Sequence, residues 1–157
     1  MAELRATPVH VRAARRDDVP AIVHLLADDT LGASREQATD PLPQAYWSAF
    51  DAISAQRGNE LLVAEVGGQV VGCLQLTVIP GLSRMGALRG QIEGVRVAAG
   101  ERDSGTGRAM LGWAIEECRR RGCGLVQLTS DNRRADAHRF YASLGFEATH
   151  QGYKLSL

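Results

Sequence analysis

Apolar residues recur along this chain in two rhythms, and the switches between them mark its elements. Val9-His10-Val11-Arg12 alternates and predicts a first strand. Asp17 and Asp18 then precede a helical pattern with Val19, Ile22, Leu25 and Leu26 on its buried side. Pro20 is tolerated there because the first turn leaves backbone N–H groups without intrahelical acceptors. Thr30 to Pro43 is polar and holds two prolines, so a loop is expected. A second helical pattern runs from Gln44 to Gln56 and carries Tyr46, Trp47, Phe50 and Ile53, an aromatic cluster that reads first as core packing. Leu61 to Val66, Gly67-Gly68 and Val70 to Val78 read as a hairpin with a glycine turn. After a connection from Leu82 to Gly90, Gln91 to Val97 forms a central strand, inside which Gly94 predicts a bulge or a close backbone approach.

A polar loop with three glycines follows, Gly100 to Gly107, and an amphipathic helix opens at its end. Met110, Leu111, Ala114, Ile115 and Cys118 share one face, while Arg108, Glu116, Arg119 and Arg120 point elsewhere. Arginines in the last turn suit the helix dipole, and Gly122 is placed to end it. Gly124 to Ser130 is another strand, and a strand–helix–strand unit of this length implies a parallel, right-handed crossover. Asp131-Asn132 leads into a helix with Ala137, Phe140, Tyr141 and Leu144 on one face, stopped by Gly145. Glu147 to Leu157 then predicts a last strand. The expected order is β-α-α-β-β-β-α-β-α-β: one α/β domain over residues 1–157, with a central mixed sheet flanked by helices.

Composition narrows the function classes. At 157 residues, 45% of them hydrophobic, the chain suffices for one ordinary core. Its formal net charge of zero argues against a nucleic-acid binder or a membrane-surface protein. No apolar run approaches the length of a membrane span, and Met1 to Arg5 lacks the apolar segment of a signal peptide, so a cytoplasmic location is expected. The three cysteines, Cys73, Cys118 and Cys123, lack metal-site or redox spacing and read as reduced. The four histidines are scattered, and no metal is expected.

Glycines before a helix let the backbone approach a ligand, and the free N–H groups of the first turn favour an anion. A nucleotide P-loop would need Gly-Lys-Ser/Thr, whereas Gly107-Arg108-Ala109 supplies neither lysine nor hydroxyl. A dinucleotide fingerprint would need a third glycine where Met110 stands. The pattern present is Arg-x-x-Gly-x-Gly, in Arg102-Asp103-Ser104-Gly105-Thr106-Gly107. It resembles the pyrophosphate loop of the GNAT superfamily of N-acetyltransferases. A second stretch, Asn132-x-x-Ala135-x-x-x-x-Phe140-Tyr141-x-x-Leu144-Gly145-Phe146, is similar to the superfamily's C-terminal motif. The resemblance covers roughly residues 9 to 153 and includes the element order.

The resemblance implies acetyl-CoA as the acetyl donor and no metal. The pantetheine arm would pair with the backbone of Val95, Arg96 and Val97, and the pyrophosphate would sit on the N–H groups of Arg102, Asp103, Ser104, Gly105, Thr106, Gly107 and Arg108. Arg102 and Arg108 would add charge, and Asn132 would hydrogen-bond the pantetheine arm. Tyr141 matches the family's tyrosine near the thioester sulfur, a proton donor for the departing thiolate. Glu93 is the candidate base for the acceptor amine, because Ile92 to Val97 resembles a strand of small-molecule acetyltransferases from which Gly94 and Arg96 depart. The implied activity is acetyl transfer to a primary amine by direct attack, a small-molecule amine being favoured over a protein acceptor. The alternatives are a non-catalytic acyl-CoA-binding or sensor domain and a protein N-terminal or lysine acetyltransferase. The acceptor pocket has no readable signature, and a homodimer is compatible with the sequence.

Overall fold

The computed structural model of the chain describes residues 7–157; the expectation about Met1 to Arg5 lies outside them. The strands are β1 (His10–Ala13), β2 (Asn59–Val66), β3 (Gln69–Ile79), β4 (Leu88–Val97) and β5 (Cys123–Leu128). The helices longer than one turn are α1 (Val19–Ala27), α2 (Gln44–Ala55), α3 (Thr106–Arg120) and α4 (Ala135–Ser143). The five strands form one sheet in the order β1-β2-β3-β4-β5, antiparallel except for the parallel β4–β5 pair. That parallel pair is the product of the crossover through α3.

The pleat divides the core in two. Leu62, Ala64, Leu74, Leu76 and Ile92 face α3, where Met110, Leu111, Ala114 and Cys118 meet them, all at most 1% exposed. Val63 and Cys73 face the other way and pack under Ile22 and Leu25 of α1. Gly67 and Gly68 both have positive φ, which a two-residue hairpin with primed turn geometry requires. Arg12 joins three elements: its guanidinium pairs with Asp18 at the start of α1 and with Glu65 of β2.

Two expectations are corrected. Glu147 to Leu157 forms no strand. Tyr153 and Leu155 alternate as a strand would, but they stand 89% and 87% exposed, with no sheet face beneath them to bury the apolar set. The aromatics of α2 are not core either: none of that helix is fully buried. The Tyr46 hydroxyl instead donates to Glu36 (2.8 Å) and accepts from the Gln37 N–H (2.9 Å), and Arg16 lies 5.1 Å from the Trp47 ring centre. No helix among the described residues is long and apolar enough to cross a membrane.

Candidate active site

β4 changes character half-way along. From Arg89 to Ile92 it is paired on both sides, with β3 and with Leu125 to Leu128 of β5. Beyond Ile92 the β5 partner ends, and Glu93 to Val97 keeps only β3 for a neighbour. The ladder between the two parallel strands therefore stops at Ile92–Leu128, leaving a gap beside the rest of β4. At the same point the β3 register shifts: Gln75 stands opposite Glu93 and Cys73 opposite Arg96, so Gly94 and Val95 together oppose Leu74. Gly94 has φ +61°, the left-handed region that glycine enters without strain. This is the bulge expected at that glycine.

The bulge resets the alternation of side chains. Ile92, Val95 and Val97 pack on the α3 side. Glu93, next to Ile92, and Arg96, between the two valines, both fall on the α1 side. In an unbulged strand these two positions would lie on opposite faces. Glu93 is exposed, whereas the Arg96 side chain is only 18% exposed.

The glycine loop lies at the open end of the gap. Asp103 and Gly105 have positive φ, and Gly105 stands at the N-cap of α3 without a side-chain cap. The first intrahelical bond runs from the Ala109 N–H to the Gly105 carbonyl (2.9 Å), which leaves the N–H groups of Thr106, Gly107 and Arg108 free of helical partners. An uncapped helix start of this kind suits an anion. Thr106 is buried, and its hydroxyl meets the Ser104 hydroxyl at 2.9 Å. Gly107 has a different reason to lack a side chain: a Cβ there would lie 3.2 Å from Cζ of Phe140 and 3.6 Å from Cγ2 of Val97. The α3 start is thus seated on α4. Arg102 turns away from the loop and donates to the carbonyls of Val97 (3.3 Å) and Asp28 (3.4 Å). Arg108 donates to the Ser143 hydroxyl (2.9 Å).

Across the gap, α4 carries Tyr141 against the α3-side core, in contact with Phe140 (ring centres 5.5 Å apart) and Phe146 (6.0 Å). Burial pushes the Tyr141 phenol up, opposed by the charges of Arg96 and Arg134, so it remains a proton donor at neutral pH. Asn132 lies exposed in the turn before α4. Burial drives the Cys73 and Cys118 thiols up to about 12, helped for Cys118 by neighbouring Cys123, so neither is a thiolate at neutral pH.

The structure also brings in residues that the sequence pattern did not single out. Asp29, just after α1, accepts from the Gly32 N–H and pairs with Arg134 (2.7 Å) and Arg96 (3.5 Å). Burial opposes its charge, but these partners hold its carboxyl below the usual range. No local motif announces this cluster, because its members come from the loop after α1, from β4 and from the turn before α4.

Residues 20–146 match the family model described as acetyltransferase (GNAT) family. The chain belongs to that family. A solved structure titled a transcriptional regulator from Bacillus halodurans C-125 superposes with a TM-score of 0.93 at 46% identity, over 96% of this chain and 100% of that one. Among curated relatives, an aminoalkylphosphonate N-acetyltransferase from Salmonella typhimurium is 32% identical over 68% of this chain and 69% of its own length. A glucosamine 6-phosphate N-acetyltransferase from Trypanosoma brucei brucei is 34% identical over 57% of this chain and 59% of its own. The same fold, a five-stranded mixed sheet flanked by helices, superposes on a putative acetyltransferase from Agrobacterium tumefaciens str. C58 with a TM-score of 0.83 at 29% identity, over 94% of this chain and 99% of that one.

Proposed function

We propose that this protein, acting as one unit over residues 1–157, transfers the acetyl group of acetyl-CoA to the primary amine of a small molecule by direct attack. The observation that carries this reading is the unpaired half of β4, with exposed Glu93 on one side of the gap, Tyr141 on the other and an uncapped helix start at its open end. Two curated relatives are named for acetyl transfer to small amines, which supports a small acceptor over a protein one.

On this reading the backbone of Val95, Arg96 and Val97 receives the pantetheine arm, and Asn132 steadies it from the turn before α4. The free N–H groups at the start of α3, with those of the loop from Arg102 to Gly105, receive the pyrophosphate. Arg108, which reaches Ser143, contributes charge from the rim. Acetyl-CoA supplies the activated acyl carbon. Glu93 takes a proton from the acceptor ammonium, directly or through one water. The amine nitrogen then bonds to the acyl carbon, and the carbon–sulfur bond breaks as Tyr141 hands its proton to the departing sulfur. The surplus proton on nitrogen passes through water to the phenolate, leaving a neutral amide, free thiol and restored Tyr141. No covalent acyl-enzyme is needed, in keeping with the Cys73 and Cys118 thiols held protonated by burial.

The Bacillus halodurans structure's title favours one second reading, a domain that binds acyl-CoA and signals without turnover. A panel of amines with acetyl-CoA, read by release of free thiol, separates the two. Turnover on at least one small amine is expected, with a melting temperature raised by CoA and not by ATP or NAD. Tight acetyl-CoA binding without turnover on any amine or peptide would establish the signalling reading instead.

A further inference from the structure

The cluster around Asp29 has more positive charge than it can neutralise internally. One carboxylate serves two guanidiniums, and one of its oxygens already accepts from the Gly32 N–H. The Arg96 Nε–H and the Asp29 Oδ2 that it faces at 3.5 Å are both buried without a hydrogen-bond partner. Arg96 spends one Nη1 donor on the Val95 carbonyl (2.8 Å), and Arg134 meets Asp29 Oδ2 as an ion pair at 2.7 Å outside hydrogen-bond geometry, so both guanidiniums keep donors free. Burial and the neighbouring charge of Arg134 pull the Arg96 guanidinium below its usual pKa, with Arg35 adding to the repulsion. A buried guanidinium left short of acceptors is costly unless something else satisfies it.

The position of this excess is informative. Arg96 shares the α1 face of β4 with Glu93, because the bulge at Gly94 puts both there. At roughly 3.3 Å per residue, less the bulge, the two positions stand on the order of 8–10 Å apart. Arg96 lies in the half of β4 that has no β5 partner, and Arg134 stands at the start of α4, paired with the same Asp29. One pole of this face is an exposed carboxylate suited to an ammonium; the other is a pair of guanidiniums with unspent donors.

We propose that the acceptor is a short amine that also carries an oxyanion, a phosphonate, phosphate or carboxylate, gripped by Arg96 and Arg134 while its amine lies at Glu93. This rests on the acetyltransferase reading above and adds the chemical class of the acceptor. Asp29 is the positioning residue: it fixes both guanidiniums without satisfying both. Planar guanidiniums bind such oxyanions through paired hydrogen bonds.

The test compares kcat/KM for matched amines: 2-aminoethylphosphonate, O-phosphoethanolamine and β-alanine against n-propylamine and ethanolamine. Oxyanion-bearing amines are expected to lead by about tenfold or more, and their ranking tells phosphonate, phosphate and carboxylate apart. Arg96→Gln and Arg134→Gln should each raise KM for the leading acceptor by roughly ten- to a hundred-fold and compress the ratio of anionic to neutral acceptors towards one. Arg134 lies in the turn before α4, so its variant keeps the test alive should the β4 variant fail to fold. Calorimetry of ethylphosphonate binding to the CoA-loaded protein gives a readout free of turnover, with binding expected in the wild type and lost in both variants. Neutral amines used as well as anionic ones, or an anion preference that survives both substitutions, would overturn the proposal while leaving acetyl transfer standing. Failure of every amine would remove the acetyltransferase reading, and the calorimetric titration would still decide the anion site.

Discussion

Arg89 to Ile92 and Glu93 to Val97 belong to one strand, yet the first stretch has strand neighbours on both sides and the second on one only. In the first stretch, backbone groups are spent on the sheet and the side chains fit against α3 so closely that Gly90 has no room for a methyl group. A Cβ there would come within 2.3 Å of the Cys118 sulfur. In the second stretch, a bulge breaks the register, Glu93 is exposed, and Arg96 faces Asp29 outside the sheet. The contrast teaches a division of labour along a single strand: pairing on both sides builds the fold, and the loss of one partner creates the place where chemistry can occur.

If the division holds, damage to the unpaired stretch and its partners should reduce activity and spare stability, with the reverse for the paired stretch. The largest effect on turnover is expected for Tyr141→Phe. It should lower kcat by roughly ten- to a thousand-fold with CoA affinity retained, measured under conditions where chemistry limits the rate. Wild-type turnover in this variant would reduce Tyr141 to a packing residue.

Glu93→Gln should lower kcat/KM near neutral pH by about ten- to a hundred-fold and recover partly in alkaline solution, where the free amine fraction of the acceptor grows without help. The shape of the pH profile is the informative part. Parallel profiles for variant and wild type, offset by a constant factor, would mean that Glu93 does not take the proton. Circular dichroism melts of both variants should stay close to wild type, since neither residue is a member of the fully buried core.

The smallest effect on chemistry belongs to the paired stretch. Gly90→Ala should destabilise the fold by about 1–3 kcal/mol through overpacking against Cys118, read as a lower melting temperature, with kcat of the folded fraction within about twofold of wild type. A stable Gly90→Ala protein with lost activity would break the division just drawn.

Much of this arrangement was legible in the chain. The change of rhythm at Gly67-Gly68, the β-branched run ending at Val97 and the apolar face of α3 are local patterns, and each formed the element it predicted. Gly94 announced the bulge because a lone glycine inside a strand has few other uses. The tail failed for a physical reason: alternation in Tyr153, Leu155 and Leu157 reports a capacity to pair, and pairing also needs a partner edge brought alongside. The aromatics of α2 misled in the same way, since helical spacing gives a face but not what covers it. Asp29 was silent because its meaning comes from Arg96 and Arg134, which only the folded chain brings to it.

The seat of Gly107 on Phe140 has a consequence for how such a protein can change over time. A methyl group at position 107 would push on the ring at 140, and the next residue along that helix is Tyr141. The two positions are therefore not free to drift separately. Among descendants of this sequence, an alanine at 107 is expected to travel with a smaller side chain at 140, and a lineage that enlarges one without trimming the other shifts the tyrosine as well. The missing side chain makes two distant stretches of sequence a single heritable unit.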